Sequence, residues 1–166
     1  MKILMIMRHA KSDYPPKVTE DIQRPLNRRG RKDVPRMAHL LKSYGAVPDQ
    51  IISSPAVRAH ETAAGLRSTL GMSADALITV DRLYLASPLE LFACVHQIDD
   101  HVDSAVLVAH NPGLEEWISA LCGGAVRLPT AAIAALSFDR TKWSAIGDNR
   151  CVLEWFVMPK LLKILE

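Results

Sequence analysis

Aromatic side chains are scarce in this sequence, where Phe, Trp and Tyr make up 5% of 166 residues. That shortage removes the stacking platforms on which single-stranded nucleic-acid binders rely. An excess of one charge is lacking too, since 20 Lys and Arg face 18 Asp and Glu for a formal net charge of +2. So even a balance does not build a general polyanion-binding surface, and no nucleic-acid partner is expected. The cysteines, Cys94, Cys122 and Cys151, are odd in number and form no C-x-x-C pair. Neither a disulfide framework nor a structural zinc site follows from them, and a reducing compartment fits. Long apolar runs are missing as well. Ile3–Met7 is about a quarter of the length a membrane helix needs and is shorter than a signal-peptide core. The expectation is a cytoplasmic protein without a membrane partner. His39 and His60-Glu61 match no H-E-x-x-H or similar spacing, so no metal and no cofactor is expected.

What is present is a globular composition, 49% hydrophobic and 23% charged, without repeats, low-complexity tracts or linkers. Residues 1–166 therefore read as a single domain. Short apolar runs at Ile3–Met7, Gln50–Ser53, Ala76–Val80, Ser104–Ala109 and Ala131–Phe138 predict strands. Several lack polar alternation, the mark of strands covered on both faces and typically parallel. A last strand over Cys151–Val157 closes the sheet in a direction the sequence does not specify. Helical spacing appears between them at Val34, Met37, Ala38 and Leu41, and again at Val57, Ala64, Leu66 and Leu70. Two more such faces are Leu89, Phe92, Ala93 and His96, then Leu114, Trp117, Ile118 and Leu121. Strands alternating with helices predict a three-layer α/β/α sandwich with a mostly parallel central sheet.

Asn27 is placed to cap the first helix, which should end at Gly45, and Pro35 inside it predicts a kink or irregular first turns. Ser54-Pro55 reads as a capping hydroxyl followed by proline at the first helical position. Residues 11–25 form a long Pro-rich, charged loop, a feature that compact domains often use for function.

Arg8-His9 ends the first strand and His110-Asn111 ends the fourth, so both should emerge at the carboxyl edge where open α/β sheets bind ligands. Arg58 follows a strand-to-helix turn and can face the same crevice. Arginines around a histidine suit phosphoryl transfer, because guanidinium groups bind phosphate oxygens in pairs and neutral imidazole is a nucleophile. Each residue also has a bland reading, a hydrogen-bonded strand-end histidine or a solvated helix arginine, and spacing alone leaves both open.

These residues sit in motifs that resemble a family. Met7-Arg8-His9-Ala10-Lys11-Ser12 is similar to the Arg-His-Gly signature of the histidine phosphatase superfamily, in the form common in its SixA-type phosphohistidine phosphatase branch. Asp21-x-x-Arg24-Pro25-Leu26-Asn27-x-x-Gly30, Ser53-Ser54-Pro55-x-x-Arg58-Ala59-x-x-Thr62-Ala63 and Val108-x-His110-Asn111-Pro112 follow in the family's order. The resemblance implies a phosphoglycerate mutase-like fold and a metal-independent phosphatase. In it His9 accepts the phosphoryl group, while Arg8, Arg58 and a protonated His110 hold the phosphate oxygens and Arg24 stands near the site mouth. The implied substrate is a phosphohistidine protein, or else a small phosphomonoester; a phosphate-binding module without turnover is the rival reading.

Two departures from the family pattern matter. Ala10 replaces the signature glycine, so its backbone should keep a negative φ. Leu85 and Asn111 stand where related phosphatases place a general acid, which leaves Asp13 or Glu20 in the long loop as candidates. An alkoxide leaving group needs such a donor, whereas imidazole can take its proton from solvent. The basic run Arg24, Arg28, Arg29, Arg31, Lys32 and Arg36 reads as a solvated helix face, with docking of an acidic protein or nucleic acid as the alternative. Trp117, Trp143 and Trp155 read as packing residues, and His96 and His101 as ordinary helix-end residues.

Overall fold

The computed structural model describes residues 1–147 and 151–164. Its strands are β1 (Lys2–Arg8), β2 (Gln50–Ser53), β3 (Leu77–Thr79), β4 (Ser104–Ala109), β5 (Ile133–Phe138) and β6 (Val152–Val157). The helices are α1 (Arg28–Tyr44), α2 (Val57–Leu70), α3 (Pro88–Val95), α4 (Gly113–Cys122) and the short α5 (Pro159–Leu162). The strands form one sheet in the order β3-β2-β4-β1-β5-β6. β3, β2, β4 and β1 pair in parallel, whereas β5 runs against both β1 and β6. The sheet is thus mixed: the mostly parallel expectation holds for β3, β2, β4 and β1 and fails at β5. The reason is physical: β5 is buried along its whole length, and burial on both faces erases polar alternation whatever the strand direction.

Alternation within β1 divides the core into two layers. Leu4 and Ile6 join Leu91 and Val95 of α3 and Leu114, Trp117 and Leu121 of α4 on one face. Met5 and Met7 join Met37 and Leu41 of α1 and Ala59, Ala63 and Leu66 of α2 on the other. Helices therefore cover both faces, as the three-layer expectation requires. Two predicted faces shift. In α3 the buried residues are Leu91 and Val95, while Leu89 is 77% exposed. In α2 the buried stripe runs through Arg58, Ala59, Thr62, Ala63, Leu66 and Leu70, so the helix turns a polar stretch inward.

The capping chemistry holds for α1. Asn27 accepts from the Gly30 N–H at 2.9 Å, and Gly45 closes the helix with φ 74. The helix runs uninterrupted through Pro35, so the irregular first turns expected there do not form. α2 departs from expectation, because it starts at Val57 after Ala56, with neither Ser54 at its cap nor Pro55 inside it. The Ser54 hydroxyl accepts from the Ala56 N–H at 3.3 Å and meets the ring of His110 at 2.7 Å. Among the described residues no helix is long and apolar enough to cross a membrane.

Candidate active site

Parallel pairing of β2 with β4 and of β4 with β1 puts the carboxyl ends of three neighbouring strands side by side. His9, His110 and Ser54 follow those ends directly. Arg8, His9, Arg58 and His110 meet there around a cavity of about 350 Å³, which Lys11, Ser12, Asp21, Arg24, Leu85, Asn111 and Thr130 also line. The sheet thus brings together all five residues singled out from the sequence, although His9 and His110 lie about a hundred positions apart.

The ring of His9 is oriented by its Nδ1–H, which donates to the Ala10 carbonyl at 2.8 Å. Its Nε2 therefore carries the lone pair and accepts from the Nε–H of Arg58 at 3.2 Å. Burial first, and then the positive charges of Arg58, Arg8 and Arg24, pull the His9 pKa down to about 4, so the imidazole is neutral near pH 7. Ala10 lies outside the left-handed region, as expected. Its N–H donates to Thr62 Oγ1 at 3.0 Å, and Thr62 in turn donates to the Arg58 carbonyl at 2.6 Å. The segment after β1 is thereby tied to the first turns of α2.

His110 stands with its ring centroid 5.1 Å from that of His9. Its Nδ1 accepts from Arg58 Nη2 at 3.3 Å, which leaves the proton on Nε2, 2.7 Å from Ser54 Oγ. Burial and then the neighbouring His9 and Arg58 lower its pKa to about 3. The expected protonated His110 is therefore not the resting state. A cation there would be desolvated and would face guanidinium groups, so the free site keeps it neutral.

Arg58 is the hub of the arrangement. It also donates from Nη1 to the Asp21 carbonyl at 2.7 Å and from Nη2 to Asp21 Oδ2 at 2.9 Å. Asp21 further accepts from Tyr84 Oη at 2.8 Å and from Arg24 Nη1 at 3.0 Å. Burial works against its charge, but the hydrogen bonds from Arg24, Tyr84 and Arg58 outweigh it and hold the carboxyl at about 2. Arg8 donates from Nη1 to the Leu128 carbonyl at 3.2 Å, while its buried Nε has no protein partner. The Arg8 guanidinium belongs to the lining of a cationic cavity, which fits an anionic ligand.

The carboxylate at this cavity is Asp21, not Asp13 or Glu20. Asp13 is turned away to accept from Asn27 Nδ2 at 2.9 Å, and Glu20 is exposed just before the 3-10 turn over Asp21–Gln23. Asn111 spends both amide hydrogens on Glu115 Oε1 at 2.9 Å and the Leu128 carbonyl at 3.1 Å. Leu85 lines the mouth with its backbone in the left-handed region at φ 51 and is 58% exposed. Two glycines, Gly30 of the second motif and Gly113 at the start of α4, are explained by close approach. A Cβ on Gly30 would stand 2.2 Å from the Lys11 carbonyl oxygen, and one on Gly113 only 1.9 Å from that of Ala86.

Sequence reading assigned Ser54 to a helix cap and gave Asp21, Thr62 and Tyr84 no role at the site. Asp21, Ser54 and Thr62 sit inside the family-like motifs, and that membership is the signal the sequence carries for them. Tyr84 carries none; its contact with Asp21 spans 63 positions. Among the described residues no group of three or more His, Cys, Asp or Glu is placed to hold a metal ion.

A model of the histidine phosphatase superfamily (branch 1) matches residues 4–83. An uncharacterised protein of Mycobacterium leprae is 30% identical over 167 residues, spanning 93% of this chain and 100% of the relative. Among solved structures, the protein histidine phosphatase SixA complexed with tungstate superposes with a TM-score of 0.81 at 22% identity, over 96% of this chain and 99% of that one. A putative phosphohistidine phosphatase SixA from Agrobacterium tumefaciens gives 0.80 at 24% identity, over 95% and 98%. These likenesses establish the fold, and the family match takes in the motifs around His9, Asp21 to Gly30 and Ser53 to Ala63. The chain belongs to the histidine phosphatase superfamily, and it is a phosphatase.

Proposed function

We propose that this phosphatase acts without a metal through a phosphohistidine intermediate on His9, and that its substrate is a phosphohistidine protein. One observation carries the reading. His9 presents a neutral, lone-pair-bearing Nε2 to a cationic cavity whose lining holds no protonated carboxyl group at neutral pH. Asp21 is ionised there, and Leu85 and Asn111 occupy the remaining acid positions.

In the first step His9 Nε2 attacks phosphorus, and the bond to the substrate's imidazole nitrogen breaks in line. The departing imidazole needs only a solvent proton, because its conjugate acid forms near neutral pH. The phosphate, entering between His9 and Arg58, takes over the Arg58 hydrogen bond and accepts from the guanidinium of Arg8. Its negative charge also draws a proton onto His110, which then supplies the third cation that the free site withholds. In the second step water attacks the phosphorus of phospho-His9, releasing inorganic phosphate and restoring the free imidazole.

The deciding experiment compares phosphate release from a histidine-phosphorylated protein and from p-nitrophenyl phosphate, with His9→Ala as the control. Turnover of both that vanishes in the variant supports the reading. Turnover of the aryl ester alone points instead to the small phosphomonoester class.

A further inference from the structure

The basic run after the long loop is largely solvated, as expected, but part of it gathers around one cavity. Arg28, Arg29, Lys32 and Arg36 of α1, joined by Lys163 just past α5, line a cavity of about 570 Å³ together with Asp13, Asn27 and Asp33. Among the described residues five cationic side chains meet two carboxylates at this cavity. The cationic wall is pinned from within. Asp33 is 1% exposed and lies 2.9 Å from Arg36, 3.3 Å from Lys163 and 3.5 Å from Arg29. One buried carboxylate thus gathers three cations, while exposed Arg28 and Lys32 add to the surplus.

This cavity adjoins the phosphate cavity through a shared strap. Ser12 lines the phosphate cavity and its neighbour Asp13 lines the basic one. Ser12 bridges to Leu26 and Asp13 bonds Asn27, so both sides of the strap are fixed to the start of α1. We propose that the basic cavity docks an acidic segment of the phosphoprotein whose phosphohistidine enters the His9 site. The inference rests on the phosphohistidine-protein reading above and adds where that protein is held. Among the described residues no aromatic side chain lines the cavity, so bases would find nothing to stack on, and an acidic protein surface is the chemistry that fits.

Charge reversal at Arg28→Glu with Lys32→Glu tests this, because neither residue pairs with Asp33 or lines the phosphate cavity. For a histidine-phosphorylated acidic protein the KM should rise about tenfold at low salt with kcat unchanged, and the gap should close as ionic strength rises. On p-nitrophenyl phosphate kcat/KM should stay within about twofold. An unchanged KM on the phosphoprotein overturns the docking site alone, as does a parallel loss on both substrates. A wild-type enzyme that hydrolyses the aryl ester but not the phosphoprotein overturns the substrate reading and this inference with it. A measurement needing no variant is competition by poly-glutamate, which should slow phosphoprotein turnover and spare the aryl ester. Inhibition of both, or of neither, overturns the docking site.

Discussion

Arg58 donates its Nε–H to His9 Nε2 across 3.2 Å, so the guanidinium marks the ring nitrogen that keeps its lone pair. The same residue reaches His110 and Asp21, which makes the spacing of the two histidines depend on one side chain from α2.

Replacing His9 by Ala should abolish turnover while leaving the fold intact, since the residue lies at a cavity rather than in either core layer. Brief reaction with labelled substrate should place acid-labile, base-stable label on His9 in the parent enzyme. Label on another residue would reassign the nucleophile.

Acid should act on both activity and stability. His9 titrates at about 4 and His110 at about 3 in the folded chain, against an ordinary value of 6.5. Both values are depressed, so this stability is complete above pH 6.5 and is lost as pH falls towards the folded values. The unfolded chain then binds up to two more protons, a slope of at most about 2.7 kcal/mol per pH unit. Urea midpoints measured between pH 7 and pH 4 should fall accordingly, and less steeply when both histidines are replaced by Ala. Rates limited by the free imidazole of His9 should hold until pH approaches about 4.

Asp21→Ala removes the carboxylate that holds Arg58, Arg24 and Tyr84 together. A freed Arg58 loses its fixed orientation toward His9, and kcat/KM should fall about tenfold, equivalent to ~1.4 kcal/mol. Tyr84→Phe should cost less, because Asp21 keeps both arginines. Steady-state rates on p-nitrophenyl phosphate for the two variants rank these contributions, and an Asp21→Ala enzyme with parental rates would exclude the role.

Leaving groups should separate sharply. General acid help is worth about 10²–10⁴-fold, and with Leu85 and Asn111 at the acid positions an alkyl phosphate should forgo nearly all of it. Phosphohistidine and activated aryl phosphates should therefore be far better substrates than phosphoserine or sugar phosphates. Asn111→Asp sets a new carboxyl beside Glu115, where repulsion raises its pKa, and should narrow the difference. Matched kcat/KM values decide the point, with equal rates on alkyl and aryl esters indicating an acid elsewhere.

Chelators should leave the rate unchanged, because Arg8, Arg24 and Arg58 line the cavity where a metal's charge would otherwise be needed. Loss of activity in EDTA with recovery on adding a divalent ion would reverse that conclusion.

What the sequence determines by itself is local or periodic. Asn27 and Gly45 bound α1 because a capping amide and a residue at positive φ act over a few positions. The strand ends carrying His9 and His110 were legible because β1 and β4 are short apolar runs closed by polar residues. Tertiary structure alone decides the rest. Apolar periodicity reports burial and not direction, so β5, buried throughout, reads like its parallel neighbours while running against them. Ser54 has the local signature of a cap, yet a histidine 56 positions away claims its hydroxyl. Asp21 comes to the site, and Asp13 does not, because the strap's fold sets which carboxylate meets Arg58. Hydrogen bonds between distant residues leave no periodic trace in a chain; they exist only once the sheet has aligned its edges.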